Sequence, residues 1–421
     1  MMHNITQTGN TNSPAYYIWI SILLACIVLA GYALVMSLLI NMEIFEFSLK
    51  IPWAMLVSNY VFFVGSSIGL CIVSSLGYVF GMKRYEPIGR RGVFLAIITI
   101  IFGMSSIGFH LGHPERAMIY SLLTPNIRSA MWWMTTLYSF YIVFIVMGYW
   151  FLARVELTKI ANSSTGIKQR IYSLMVLGKR DESHESVKKD HKKSQIVGAL
   201  ALISGLLALL MEGAVFGHTE ARALWYGSYY PVYFLFSSAS CGYAWLLIAT
   251  IITYKVKKEE ISGKLKNLIF EMAKIFALLL CVGLLFTSYK LSSGLLDPIK
   301  SKSIMLLLKG PFSLPFYLFE IAIGTVFPIF ILLYSAKKEK IGGVLTASIM
   351  VLVGVFVMRY DFVVVGGVYP LFSPMGRDIS VLLPSFFPAL MEIYIVGGII
   401  AACLLAYTLG VKYLPLKEES H

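Results

Sequence analysis

Two histidines, His110 and His113, stand beside Glu115 and Arg116 in the stretch FHLGHPERAMIYSLLTPNIRSAMWW, which runs from Phe109 to Trp133 and also holds Arg128. Strongly apolar runs flank it on both sides. A histidine exchanges its proton near neutral pH, and burial makes a carboxyl group hold its proton more readily, so such a set can trade protons with water at a membrane rim. A second set lies in MEGAVFGHTEARALW, with Glu212, His218, Glu220 and Arg222, and a third in MRYDF, with Arg359 and Asp361. Gly112–Ala117 (GHPERA) and Gly217–Ala223 (GHTEARA) echo each other, a match too short to establish a repeat. Aromatic residues accompany the polar ones: Trp132, Trp133, Tyr138, Trp225, Tyr229 and Tyr230. An apolar slot with hydrogen-bonding and proton-exchanging groups is what a quinone requires, because the ring carries the electrons and the protein supplies position and protons. Taken singly, each aromatic residue fits an interfacial belt and each arginine a loop anchor. Only the gathering of His110, His113, Glu212 and His218 on one side, on neighbouring helices, turns them into a site.

The elements that must position these groups are membrane helices. Of 421 residues, 58% are hydrophobic and only 14% charged, a balance foreign to a soluble chain of this length. A spanning helix needs about 20 mainly apolar residues. Ten segments qualify: Tyr16–Ile40, Ile51–Phe80, Val93–Leu111, Met131–Leu152, Ile196–Phe216, Tyr229–Tyr254, Leu268–Tyr289, Phe312–Tyr334, Gly342–Met358 and Ala389–Val411. The expected fold is all-α and polytopic, one integral membrane domain over residues 1–421. The first run lacks a basic start and a clear cleavage site, so it is read as a retained helix.

Most Lys and Arg fall in the loops before spans three, five, seven and nine, richest in the segment 154–194. That segment is expected to be a basic, solvated cytoplasmic loop, with Asp181, Glu182, Glu185 and Asp190 interspersed. By the positive-inside rule both termini are cytoplasmic and the three polar sets face the periplasm, although Lys300, Lys302 and Lys309 fall on the outer side. The net charge of +13 therefore reports topology and bilayer contact rather than nucleic-acid binding. Cys26, Cys71, Cys241, Cys281 and Cys403 stand alone in apolar runs, so no iron–sulfur or zinc spacing is present. Glu212, Glu320 and Glu392 are expected about two turns in from the outer face. On the inner side Glu271 and Lys274, spaced i,i+3, can pair with each other or with water, or begin a proton path.

These motifs resemble those of the NrfD/PsrC family of membrane quinone-interacting subunits. The first stretch is similar to the family's (D/H)LG(R/H)PER motif and the P-N-x-x-S-x-M-x-W opening of the next helix. GAVFGHTEARALWYGSYYPVYFLFSSASCG resembles a second signature, and VMRYDFVVVGGVYP the R-(Y/W)-N-x-V-x-x-G-Q stretch of ten-helix members. The resemblance covers spans two to ten. It implies two four-helix bundles with flanking helices, and a quinone site near the periplasmic face beside a four-cluster ferredoxin-like iron–sulfur subunit. It further implies a periplasmic catalytic partner: a molybdopterin enzyme, a hydrogenase or a multihaem cytochrome. The ten-helix layout leans toward the hydrogenase, sulfite-reduction-associated or alternative-complex-III branches.

On this reading the chain is a quinone/quinol oxidoreductase subunit of the cytoplasmic membrane, with menaquinone the expected quinone and no metal or haem of its own. His110 and Glu212 are expected to exchange protons with the ring. His113, His218 and Arg222 would orient its oxygens, with Tyr138, Tyr230, Arg359 and Asp361 completing the binding set. Glu115, Arg116 and Arg128 would hold the loop against the partner subunit. His110 stands where many relatives carry aspartate, and Asp361 and Gly367 where asparagine and glutamine are common. Two other readings stay open: a haem b anchor, which requires paired axial histidines, and a secondary transporter, to which buried carboxylates and Gly-interrupted helices fit loosely.

Overall fold

A bilayer core offers no water to a peptide group, so each apolar run closes its hydrogen bonds within a helix. The computed structural model describes residues 14–40, 53–368 and 388–416. Among them, 10 helices are long and apolar enough to span a membrane, as expected of an all-α polytopic protein. They are α1 (Pro14–Ile40), α2 (Met55–Tyr78), α3 (Glu86–His110), α5 (Ala130–Ser163), α7 (His184–Gly217), α8 (Tyr229–Lys257), α9 (Gly263–Leu296), α11 (Phe327–Lys338), α12 (Ile341–Val368) and α13 (Leu390–Tyr413). A π-helical segment, Pro315–Val326, runs directly into α11 and completes that span. Short helices α4 (Pro114–Leu123), α6 (Gly166–Met175) and α10 (Ser301–Lys309) lie in the connections. The expected start of the second span at Ile51 falls outside the described residues, as do Tyr369 and Pro370 of the third motif.

α2, α3, α5 and α7 pack into one bundle; α8, α9, the π-helical segment with α11, and α12 pack into a second. α1 and α13 pair with each other on the flank, α13 resting on α3. α2 lies at the centre: 94% of its membrane window is buried, against 17% for α1. Its small residues explain this position. A Cβ on Gly69 would fall 1.7 Å from the Ser238 carbonyl oxygen of α8, and one on Gly242 would fall 2.1 Å from the Gly69 backbone. The two bundles are thus joined by α2 and α8 in backbone contact, which only small residues allow.

The ends that carry the basic loops meet on one side. Arg84 bonds Glu271 at 3.1 Å, Lys266 bonds Glu339 at 2.6 Å, and Arg90 of α3 bonds Glu156 of α5 at 2.5 Å. Glu271 is therefore the partner of Arg84 rather than of Lys274. The segment 154–194 also differs from the solvated loop expected of it. α5 continues to Ser163, α6 follows, and α7 begins at His184, so most of it is helical. Asp190 is only 2% exposed, held by fully buried Arg154 and by Lys179, whose Nζ lies 3.1 Å away. Arg154 also donates to the carbonyl oxygens of Lys179 and Asp181, at 3.0 and 2.7 Å, and to Ser186 Oγ at 2.9 Å. Charge counting in sequence could not foresee that this arginine would bury one acid of the run.

Removing one partner of a buried ion pair strands the other. Arg154→Ala is therefore expected to cost about 3–5 kcal/mol of stability, toward the lower figure because Lys179 still reaches Asp190. Thermal unfolding in detergent checks this, and adding Asp190→Asn should recover most of the loss. An unchanged transition would show that Lys179 alone suffices.

Candidate functional site

Glu212 sits about a turn and a half before the end of α7, facing the interior of the first bundle. It is fully buried. Tyr138 of α5 donates its hydroxyl to Glu212 Oε2 at 3.1 Å, whereas Oε1 has no hydrogen-bond partner among the described residues. Tyr60 of α2 lies in the same cluster, interacting with both Tyr138 and Glu212, and its hydroxyl approaches Met134 Sδ at 3.6 Å. Gly213 lets α7 close on α8: a Cβ there would fall 2.5 Å from Pro231 Cα.

Arg359 was expected at the end of its span, but α12 continues to Val368 and places it about two and a half turns inside. The run FVVVGGV after Asp361 is apolar enough to prolong the helix, so the two charges interrupt the span rather than end it. Arg359 is 1% exposed. Its Nη2 donates to Ser237 Oγ at 2.8 Å and its guanidinium lies 3.9 Å over the Phe234 ring, while Nε and Nη1 have no hydrogen-bond partner among the described residues. Gly65 of α2 lies beside it: a Cβ there would meet Nη2 at an ordinary 3.4 Å but Ser238 Oγ of α8 at 2.8 Å. Glu212 in the first bundle and Glu320 in the second both act electrostatically on this one cation.

Glu320 lies in the π-helical segment, where Thr325 Oγ1 donates to its carbonyl oxygen at 2.9 Å, five residues back. Such local widening of a helix is common at functional positions. Gly324 and Gly354 bring this segment against α12: a Cβ on Gly324 would sit 2.7 Å from Gly354 Cα. Asp361, also buried, has no hydrogen-bond partner on either carboxyl oxygen among the described residues, and interacts with Glu320 and with Lys290 of α9. Tyr230 packs 4.2 Å from Phe362 and carries Lys290 Nζ 5.8 Å from its ring. A cavity of about 40 Å³ is lined by Ser237, Ser240, Thr287, Glu320 and Thr325 among others.

The other candidate residues lie toward the surface. His110 ends α3 and is half-buried. One turn earlier Ser106 bonds Leu56 O at 2.8 Å and accepts from Asn59 Nδ2 at 3.1 Å, which ties the His110 helix to the first turns of α2, the helix that carries Tyr60. His113 is 61% exposed and bonds Glu115 at 3.0 Å. Glu115's own backbone N–H, and then His113, hold that carboxyl below the usual carboxylate range. His218 caps α7 and is exposed. Arg222 donates to the Gly367 carbonyl oxygen, fastening the loop between α7 and α8 to the end of α12. Trp225 completes that fastening: its Nε1 donates to Phe362 O at 2.8 Å and its ring stacks on Trp53 at 5.1 Å. The structure thus gathers Glu212, Tyr138 and Arg359 in one cluster, with Asp361 and Tyr230 adjoining, and places His113, His218 and Arg222 outside it. Tyr60, Phe234, Ser237 and Lys290 escaped the reading of the sequence. Lys290 alone carried a signal, as a charge in the apolar stretch before Leu291.

The sequence model of the family described as Polysulphide reductase, NrfD matches residues 44–370, well over half of the chain. The chain belongs to the NrfD family. Its relatives extend the match along nearly the whole length. A selenate reductase subunit of Mesobacillus selenatarsenatis is 26% identical over 88% of each chain. The Hdr-like menaquinol oxidoreductase integral membrane subunit of Archaeoglobus fulgidus is 25% identical over 97% of this chain and 95% of its own. A putative dimethyl sulfoxide reductase membrane subunit of Halobacterium salinarum is 22% identical over 87% and 84%. Membership of the NrfD family and ten apolar helices make this a multi-pass integral membrane protein. The donor set suits a quinone: a buried carboxyl with one unpartnered oxygen, and a phenol holding the other. The cavity beside Glu320 does not enclose one, since sites for molecules of that size run to about 300 Å³ or more.

Proposed function

We propose that this chain is the membrane subunit of a respiratory oxidoreductase complex, exchanging electrons between a quinone, menaquinone by preference, and an iron–sulfur partner subunit. The observation that carries the reading is the Tyr138–Glu212 pair, buried near the outer ends of α5 and α7 with Glu212 Oε1 unpartnered. A bound quinone supplies two-electron, two-proton chemistry. Glu212 holds the exchanged proton at Oε1, Tyr138 fixes the carboxyl orientation, and Arg359 balances the charge left when the proton departs. His110, at the end of α3, relays protons to the outer water. His113, with Glu115, shapes the loop that meets the partner.

The names of the relatives support a place in a complex: each is called a subunit, and that of the archaeal relative from Archaeoglobus includes menaquinol. The next electron carrier is assigned to the iron–sulfur partner subunit. The basic helix ends face the cytoplasm by the positive-inside rule, which puts Glu212, His110 and the partner on the periplasmic side. The test is quinol-dependent electron transfer by the purified complex carrying Glu212→Gln or His110→Ala, with assembly of the iron–sulfur partner checked in each. Loss of turnover in an assembled variant upholds the site; full turnover in both overturns it.

A further inference from the structure

We propose that the cavity around Glu320 is a second proton-holding site, in the second bundle, and that Arg359 ties its occupancy to that of Glu212. The first ground is geometric. Glu320 is only 6% exposed, lines the cavity, and has no hydrogen-bond partner on Oε1 among the described residues. The cavity also takes the hydroxyls of Ser237, Ser240, Thr287 and Thr325. This space of about 40 Å³, lined by these hydroxyls and by apolar groups such as Leu279, Val355 and Met358, has room for two or three waters at roughly 10–15 Å³ each. Those waters give Glu320 a proton source and acceptor.

The second ground is charge counting. The groups acting on Glu320 are Lys290 of α9 and Arg359 and Asp361 of α12, with the neutral phenols of Tyr229, Tyr230 and Tyr233 of α8 beside it. Glu392 of α13 acts on Tyr360 rather than on Glu320. Including Glu212, which shares Arg359, three buried carboxyl groups face two cations. An uncompensated charge in this setting is costly, so the set retains one proton. Ser237 links its parts: it accepts from Arg359 and also lines the Glu320 cavity. When Glu212 is ionised, Arg359 is shared and the proton stays on Glu320. When Glu212 takes a proton, Arg359 serves Glu320 alone and Glu320 releases its own to the cavity water. The two sites titrate as a coupled set.

This inference rests on the proton role proposed for Glu212, but its test needs no quinone turnover. Infrared spectroscopy of the purified full-length protein reads buried protonated carboxyl groups directly. The wild type should show a band that Glu320→Asp moves and Glu320→Gln abolishes. In Glu212→Gln the protonated fraction of Glu320 should fall at least about fivefold, the lower range for coupled sites. If Glu212→Gln does not fold, the reciprocal measurement serves, since linkage requires Glu320→Gln to alter Glu212 protonation by the same factor. The proposal is overturned if the wild type lacks the band, if Asp361→Glu moves it and Glu320→Asp does not, or if neither reciprocal variant changes its partner. Failure of the quinol assay with these spectra as expected would remove the quinone site and leave the coupled pair standing.

Discussion

Glu212→Gln should leave the complex assembled and slow quinol turnover by about 10²- to 10⁴-fold, the range for loss of a positioned proton-transfer group. The substitution keeps the shape of the side chain, and the amide oxygen can still accept from the Tyr138 hydroxyl that now bonds Oε2. What disappears is the ionisable carboxyl, whose Oε1 has no hydrogen-bond partner among the described residues. Packing around it involves Tyr60 and Tyr138, which remain. Tyr138→Phe should lose less, because Glu212 keeps its proton chemistry and loses only the bond that orients it. Steady-state quinol oxidation with an artificial acceptor, measured beside the subunit composition of each variant, checks both. Wild-type turnover in Glu212→Gln would exclude this carboxyl from proton exchange with the ring.

Gly69→Ala should be the most damaging methyl group that can be added to the membrane core. A Cβ there falls 1.7 Å from the Ser238 carbonyl oxygen, a backbone atom that cannot swing aside. Overpacking costs about 1–3 kcal/mol where side chains can shift, and the backbone contact here puts this variant at the upper end or beyond. The affected crossing of α2 and α8 joins the two bundles and keeps Glu212 and Glu320 in reach of one arginine. Gly31→Ala on the outward-facing α1 is the control, since a Cβ there meets nothing within 4 Å. Alanine suits a helix interior better than glycine by roughly 0.5–1 kcal/mol, so the control should be neutral or slightly stabilising. Thermal unfolding of the two variants in detergent distinguishes them; equal transitions would mean that α2 and α8 can part at this crossing without loss.

Local properties of the chain are legible in its amino-acid sequence. Ten spans, the basic loop ends and the gathering of polar groups toward one rim depend on runs of neighbouring residues, because spanning a bilayer is a requirement on length and polarity. The three motifs that carry the family resemblance are local in the same sense, and the NrfD match over residues 44–370 agrees with them. Glu212, Tyr138 and Arg359 stand out in the sequence and do meet in the interior.

Their meeting, however, was decided by contacts between distant helices. Arg359 and Asp361 looked like the end of a span, because charge in an apolar run ordinarily marks its edge. They lie inside because α12 continues and because Ser237, Phe234, Glu212 and Glu320 surround the arginine. Asp190, in a run rich in charge, looked solvated, yet Arg154 covers it. His113 and His218 share the rim with Glu212 in sequence terms, yet a helix end points its side chains outward where no neighbour packs over it. What the sequence by itself determined is which segments enter the membrane and toward which of their ends most polar groups gather, Arg359 and Asp361 excepted. The tertiary structure alone decided which of them face one another, because that depends on glycines of separate helices touching at Gly69–Gly242 and Gly324–Gly354, pairings that no local pattern records.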